Sequence, residues 1–185
     1  MTDVPMFHRT SVDVPSAVGD EKRHSAEPQS RIVRAATPAD IASILRLVNE
    51  HARRGELLPR TAVSIRDTLP DWLVGEDEEG CIVACVSLLF YTPTLAEVRS
   101  LAVDDRCKGQ GWGSTIMAAL IVEAQRRGVP TLFALTRAVR FFERAGFTVT
   151  DKEMFPEKVW RDCHICPIRH RCDETAVVLH LRREA

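Results

Sequence analysis

The chain has 185 residues, 45% of them hydrophobic and 28% charged, a length and balance that suit one globular domain with a sizeable core. Its 25 basic and 26 acidic residues leave a formal charge of −1, which excludes the diffuse basic character of a non-specific nucleic-acid binder and makes any anion site a local one. No apolar run reaches the roughly 18 residues of a membrane span, the N-terminus lacks a signal-peptide core, and the expectation is a cytoplasmic protein with no membrane and no nucleic-acid partner.

Residues 1–30 mix proline, serine and both charges without period 2 or 3.6, and read as a disordered N-terminal tail. Order is expected from residue 31, beginning with a short strand at RIVRA. Thr37, Pro38 and Asp40 then form a helix start: a cap, a first-position proline and an acidic third residue. The helix runs toward Gly55 with an apolar stripe of Ile41, Ile44, Leu45 and Val48, and TAVSIRDTL predicts a second short helix before Pro70. The period then changes to that of strands in DWLVGE, CIVACVSLLFY and LAEVRSLAV, the first two joined by the turn-forming DEEG as in an antiparallel meander. After these come a helix from about Gly113 to Arg127, a strand TLFALT, a helix AVRFFERA ended by Gly146, and strands near FTVT and TAVVLHL. The class is α/β or α+β, with a mostly antiparallel sheet flanked by helices.

Residues 106–115, RCKGQGWGST, lie between a strand and a helix. Glycines at that junction leave successive backbone N–H groups bare and pointing one way, the helix dipole adds positive charge, Ser114 offers a hydroxyl, and Arg106 or Lys108 can meet a second phosphate. A pyrophosphate fits such a nest. A glycine-rich connection without a ligand has the same local sequence, and the stretch is neither a P-loop nor a dinucleotide-binding fingerprint.

The stretch LAVDDRCKGQGWGSTIM resembles the signature of the GNAT superfamily of N-acetyltransferases, in which an Arg/Gln-x-x-Gly-x-Gly/Ala loop between strand and helix holds the pyrophosphate of acetyl-CoA. FFERAGF at 141–147 matches the second landmark of that superfamily. Within it, the chain is similar to the short, stand-alone N-acetylglutamate synthases in LLPR (57–60), EVRSLAV (97–103), LTRAVRFFERAGF (135–147) and FPEKVWRDCHICPIRHRCDETAV (155–177). The resemblance implies a GNAT fold over residues 31–185, with a mostly antiparallel central sheet, about four helices and a cysteine-rich segment at 155–174. It implies acetyl-CoA as cosubstrate, L-glutamate as small-molecule acceptor and a place in arginine biosynthesis. Long bacterial forms carry an amino-acid-kinase-like domain, which the thirty or so residues before the fold do not supply. Oligomeric state is left open by the sequence, a homodimer included.

The resemblance also distributes roles. Contacts to acetyl-CoA fall on Leu101, Ala102, Val103, Arg106, Lys108, Gly109, Gln110, Gly111, Trp112, Gly113, Ser114 and Phe142, with main-chain N–H groups near Leu101 to Val103 stabilising the oxyanion beside a bulged strand. Acyl transfer needs a neutral amine, and Glu97, opening the strand that leads into the loop, is the candidate base; an exposed strand ion pair is the other use of such a glutamate. Many superfamily members place a tyrosine acid where this chain has Phe142, which cannot donate a proton. Tyr91, the single tyrosine, lies in an earlier strand and is not given that role. Thr136 matches a Ser/Thr that helps catalysis in N-acetylglutamate synthases, and equally suits a strand-end hydroxyl bonded to backbone. Arg60, with Arg99, Ser100 and Lys158, is assigned to the acceptor and its carboxylates, though arginines and lysines also serve as solvated surface groups.

Alternatives from other classes are an acetyltransferase acting on another amino acid or a protein N-terminus, and a non-catalytic acetyl-CoA sensor or thiol-metal module. Of the six cysteines, Cys163, Cys166 and Cys172 cluster, a spacing that admits structural zinc with His164 or His170, an iron–sulfur cluster, a redox pair, or plain packing.

Overall fold

The computed structural model describes residues 31–161, 163–166 and 169–181; the tail at 1–30 lies outside the described residues. Strand β1 (Ile32–Ala35) leads through a 3-10 turn (Pro38–Asp40) into α1 (Ile41–Arg53). Asp40 is the acidic third residue expected of the cap: its carboxylate accepts from the Thr37 N–H (2.7 Å) and hydroxyl (2.8 Å). Arg34 grips the same carboxylate at 2.7 and 2.9 Å, and that hydrogen-bonded guanidinium, against the cost of burial, holds the Asp40 pKa down at about 2. The buried face of α1 is Ile41, Ile44, Leu47, Val48 and His51. Leu47 therefore takes the place expected of Leu45, which is only partly covered. Both leucines border the apolar face, and packing rather than spacing selects the inner one.

The helix α2 (Ala62–Asp67) follows, capped by Thr61, whose side chain accepts from the Ser64 N–H while the Ser64 hydroxyl accepts from the Thr61 N–H. Next come β2 (Trp72–Glu76), β3 (Ile82–Thr92) and β4 (Leu95–Val103). Asp77 shapes the turn between β2 and β3, accepting Gly80 N–H on its carbonyl and Cys81 N–H on its carboxylate. Beyond a 3-10 turn (Asp105–Cys107) stand α3 (Trp112–Arg126), β5 (Thr131–Thr136), α4 (Val139–Arg144) and β6 (Thr148–Thr150). The described chain closes with α5 (Pro156–Arg161) and β7 (Thr175–His180). The helix α5 is additional to the helices expected; six residues are too few for a periodic pattern to reveal them.

The strands form one mostly antiparallel seven-stranded sheet in the order β1-β2-β3-β4-β5-β7-β6. β4 and β5 are parallel, with Glu97 opposite Phe133, while β7 runs antiparallel to both β5 and β6. The chain divides into two units: residues up to Val86 with Ser100–Ile116, and Ser87–Arg99 with the residues from Met117 onward. The first unit has its core where α1 and Ile65 pack on Trp72, Val74, Ile82, Cys85 and Ala102. In the second, Phe133, Phe155 and Ala176 form a cluster flanked by Tyr91, Leu95, Leu135 and Val178.

Gly75, on β2, sets the start of α3. A β-carbon there would stand 2.9 Å from the ring of Trp112, which is buried, and 3.1 Å from Ala84. The indole thus lies directly on the strand backbone. Gly75→Val is expected to lower stability by about 1–3 kcal/mol, the usual cost of overpacking a filled core, and urea unfolding of the two proteins checks it.

Candidate functional site

In the first unit, β4 runs into the glycine-rich loop. The loop is built on acidic anchors that the sequence did not single out. Asp104 is buried and receives Arg106 Nε and Nη2 at 3.0 Å each, Arg106 N–H at 3.1 Å and Arg46 Nη1 at 3.2 Å. The Arg106 guanidinium, outweighing burial, holds the Asp104 carboxyl well below the usual carboxylate range. Asp105 pairs with Lys108 (2.6 Å) and Arg54 (3.0 Å). Arg106 and Lys108, expected to face phosphate, are therefore tied back to carboxylates of their own turn.

The backbone is arranged otherwise. Gly109 and Gly111 have φ of +76° and +88°, a conformation that side chains with a β-carbon rarely adopt. No hydrogen bond within the described residues is made by the N–H groups of Gly109, Gly111, Trp112, Gly113 or Ser114. A β-carbon at Gly109 would meet nothing within 4 Å, so the glycine surface is open to a ligand. These donors stand at the N-terminus of the fifteen-residue α3 and fit a pyrophosphate. Arg31 stands outside the residues that the sequence pattern singles out. Its guanidinium lies 5.7 Å from the Trp112 ring centre and donates to the Gln110 carbonyl, and its Nη1 would be 3.1 Å from a β-carbon on Gly111. Nothing in the local pattern marks an arginine so far back in the chain.

Ahead of the loop, Ser100 is buried and has φ +53°, the one positive value at a non-glycine among the described residues. Its hydroxyl accepts from Arg60 Nε at 3.2 Å. Asn49 on α1 holds the Arg60 backbone from both sides, with Asn49 Nδ2 donating to its carbonyl and Arg60 N–H donating to Asn49 Oδ1, each at 3.0 Å. Arg60 and Ser100, two of the residues assigned to the acceptor, are thus brought together. Ala102 is core, Leu101 and Val103 are partly covered, and the Val103 carbonyl is in contact with His51 Nε2 at 2.9 Å.

In the second unit, Glu97 is buried with 4% exposure. Its Oε1 accepts from Lys158 Nζ at 2.8 Å, its Oε2 accepts from the Tyr91 hydroxyl at 2.9 Å, and Arg99 Nε stands 4.0 Å from Oε2. Arg99 and Lys158, expected on the acceptor, are here charge partners of Glu97, and Tyr91 joins the same carboxylate from β3. Glu174, ahead of β7, was also missed. Burial pushes its carboxyl above the usual range, opposed by Arg137, Lys158 and Lys152 and assisted by Glu97. Thr136 is buried and its Oγ1 accepts from Ala138 N–H at 2.9 Å, which leaves the hydroxyl proton to donate elsewhere. Phe142 is buried edge-on against Phe141 and Phe147.

The cysteine-rich segment is described in part. Cys166 N–H donates to the Cys163 carbonyl at 3.2 Å, whereas Cys172 Sγ accepts from Lys152 Nζ at 3.4 Å and reaches Glu174 at 3.9 Å. Among the described residues, no group of three His, Cys, Asp or Glu side chains is placed to hold a metal ion. No helix among them is long and apolar enough to cross a membrane.

Comparison with known proteins adds to this geometry. The acetyltransferase (GNAT) family profile matches residues 40–147. An uncharacterised N-acetyltransferase of Chlorobaculum tepidum is 38% identical over 146 residues, 79% of this chain and 94% of that one. The amino-acid acetyltransferase of Mycobacterium tuberculosis is 33% identical over 119 residues, 63% of this chain and 68% of that one. The N-acetylglutamate synthase of Neisseria gonorrhoeae, solved with coenzyme A and N-acetyl-glutamate, superposes with a TM-score of 0.75 at 24% identity, over 85% of this chain and 37% of that one.

The loop geometry makes a direct prediction. Gly111→Val places a β-branched residue at φ +88° and against Arg31, closing the approach to the bare N–H groups. Acetyl-CoA affinity measured by calorimetry should fall by at least about tenfold, the loss of one or two charge-assisted bonds, while the circular dichroism of the folded protein is kept.

Proposed function

The chain belongs to the acetyltransferase (GNAT) family, and on that premise we propose that it transfers acetyl from acetyl-CoA to the α-amine of L-glutamate by direct attack, without a covalent acetyl-enzyme. The observation that carries the choice of acceptor is Arg60, bonded to Ser100 at the positive-φ position of β4 and pinned through its backbone by Asn49. A planar cation held in place is suited to a carboxylate, and glutamate carries two beside its amine. The name of the M. tuberculosis relative, amino-acid acetyltransferase, agrees with an amino-acid acceptor.

Acetyl-CoA supplies the thioester carbonyl; the chain's residues bind, orient and move the proton. The bare N–H groups of Gly109 and of Gly111 to Ser114 hold the pyrophosphate. Glu97 takes the ammonium proton, directly or through water, so that a lone pair is available for attack. At pH 7, an amine that ordinarily titrates between about 7.7 and 10.4 costs on the order of 1 to 5 kcal/mol to deprotonate, which is the share asked of that base. Stabilisation of the developing oxyanion is assigned to main-chain N–H groups near Leu101 to Val103. Thr136, its oxygen already bonded to Ala138 N–H, turns its proton toward the leaving sulfur. In this scheme Phe142 contributes packing only.

The test is acetyl-CoA with a panel of amino acids and an N-terminal peptide, the acetylated product read by mass spectrometry. Glutamate is expected to be the fastest acceptor. Arg60→Ala should weaken glutamate by roughly 10- to 150-fold in KM, the equivalent of about 1.5–3 kcal/mol, with acetyl-CoA affinity kept, and Arg60→Lys should recover only part of it. Faster acetylation of lysine, alanine or the peptide by the parent protein would overturn the glutamate assignment.

A further inference from the structure

Glu97 is a buried anion whose two oxygens are each met by a donor from a different element. Tyr91 on β3 donates to Oε2 at 2.9 Å and Lys158 on α5 donates to Oε1 at 2.8 Å; both Glu97 and Lys158 are less than a tenth exposed. A carboxylate has about four acceptor sites, so the two donors leave lone pairs unused while fixing the plane of the group. The donors are themselves held. The Tyr91 ring lies 5.6 Å from Phe133 at 47° and is covered by the Arg161 guanidinium at 5.6 Å. Phe133 in turn stacks on Phe155 at 4.1 Å and 8°, and Phe155 immediately precedes α5, which carries Lys158 and Arg161. One aromatic column therefore seats both donors. Among the described residues, Arg99 from its own strand and Glu174 from ahead of β7 also face Glu97.

We infer that Tyr91 and Lys158 are positioning residues that clamp Glu97 for proton removal, and that Lys158 serves the base and does not bind the acceptor. Lys158 is buried and its ammonium stands 2.8 Å from Glu97 Oε1, so turning it to the acceptor would weaken the charge compensation of a buried carboxylate, which is costly. The inference rests on Glu97 being the base, and it does not depend on which amine is acetylated.

A double-mutant cycle with steady-state kinetics tests it, using whichever amine the parent protein acetylates fastest. Tyr91→Phe removes one hydroxyl and keeps the ring. It is expected to lower kcat about tenfold with both KM values within about twofold, and to cost less than about twofold when added to Glu97→Gln, since the group being positioned is then gone. Lys158→Met should show the same pattern, and Lys158→Arg should retain more of kcat. A structural role for Tyr91 would lower kcat equally in both backgrounds, and that result overturns the inference, as does a Tyr91→Phe rate within twofold of the parent. Lys158→Met acting on the acceptor KM alone would return the lysine to the acceptor and overturn the clamp. If Lys158→Met does not fold, the Tyr91 cycle decides. Full turnover by Glu97→Gln removes the base and the inference together, whereas a preferred acceptor other than glutamate removes only the acceptor assignment.

Discussion

A carboxylate buried to 4% exposure dominates the second unit, because the cost of taking Glu97 out of water has to be met by its neighbours. The Lys158 ammonium, itself buried, and the Tyr91 hydroxyl meet it. Breaking such a pair from one side leaves an uncompensated charge, a loss of about 3–5 kcal/mol in comparable buried pairs. The pairing constrains the chain around it. α5 must lie where Lys158 reaches β4, Phe155 must stack on Phe133 to seat it there, and Tyr91 must point its hydroxyl to the same group.

The first unit follows a different logic, in which charges serve to shape a loop and backbone serves the ligand. Asp104 and Asp105 draw in Arg46, Arg54, Arg106 and Lys108 and so fold the turn that follows β4. The N-terminus of α3 is placed by close packing, since Trp112 rests on Gly75 where any larger residue would intrude. What remains exposed to a ligand is a run of N–H groups, whose partial charges are fixed by geometry and need no side chain to reorient. Cations already neutralised by their own turn add less to phosphate binding than free ones, which leaves the larger share of the proposed pyrophosphate contact to the nest.

The elements were legible because their signals are local. Thr37-Pro38-Ala39-Asp40 encodes its turn and the glycine loop its nest through residues adjacent in the chain, and the order of strands and helices follows from the alternation of period. The resemblance over LLPR, EVRSLAV and LTRAVRFFERAGF pointed to the residues around which the polar networks form. It paired Arg60 with Ser100 in one role, and the structure joins them by a hydrogen bond. Leu47 in place of Leu45, and the short α5, were not legible, because a face shared by neighbouring leucines and a helix of six residues carry too little periodic information.

The partners of the charged groups were decided by tertiary structure alone. The sequence determined that Glu97 stands in a strand leading to a glycine-rich loop, that Arg106 and Lys108 flank that loop, and that three cysteines follow Phe155. It could not show that Tyr91 and Lys158, from elements on either side of it in the chain, converge on Glu97, or that Arg31 lies beside Gly111. Nor could it show that Cys172 Sγ accepts from Lys152. Covalent neighbourhood fixes a residue's secondary structure and the face it presents. Charge pairing depends on distances of about 3 Å between residues that only the packed core brings together, and no spacing along the chain encodes those.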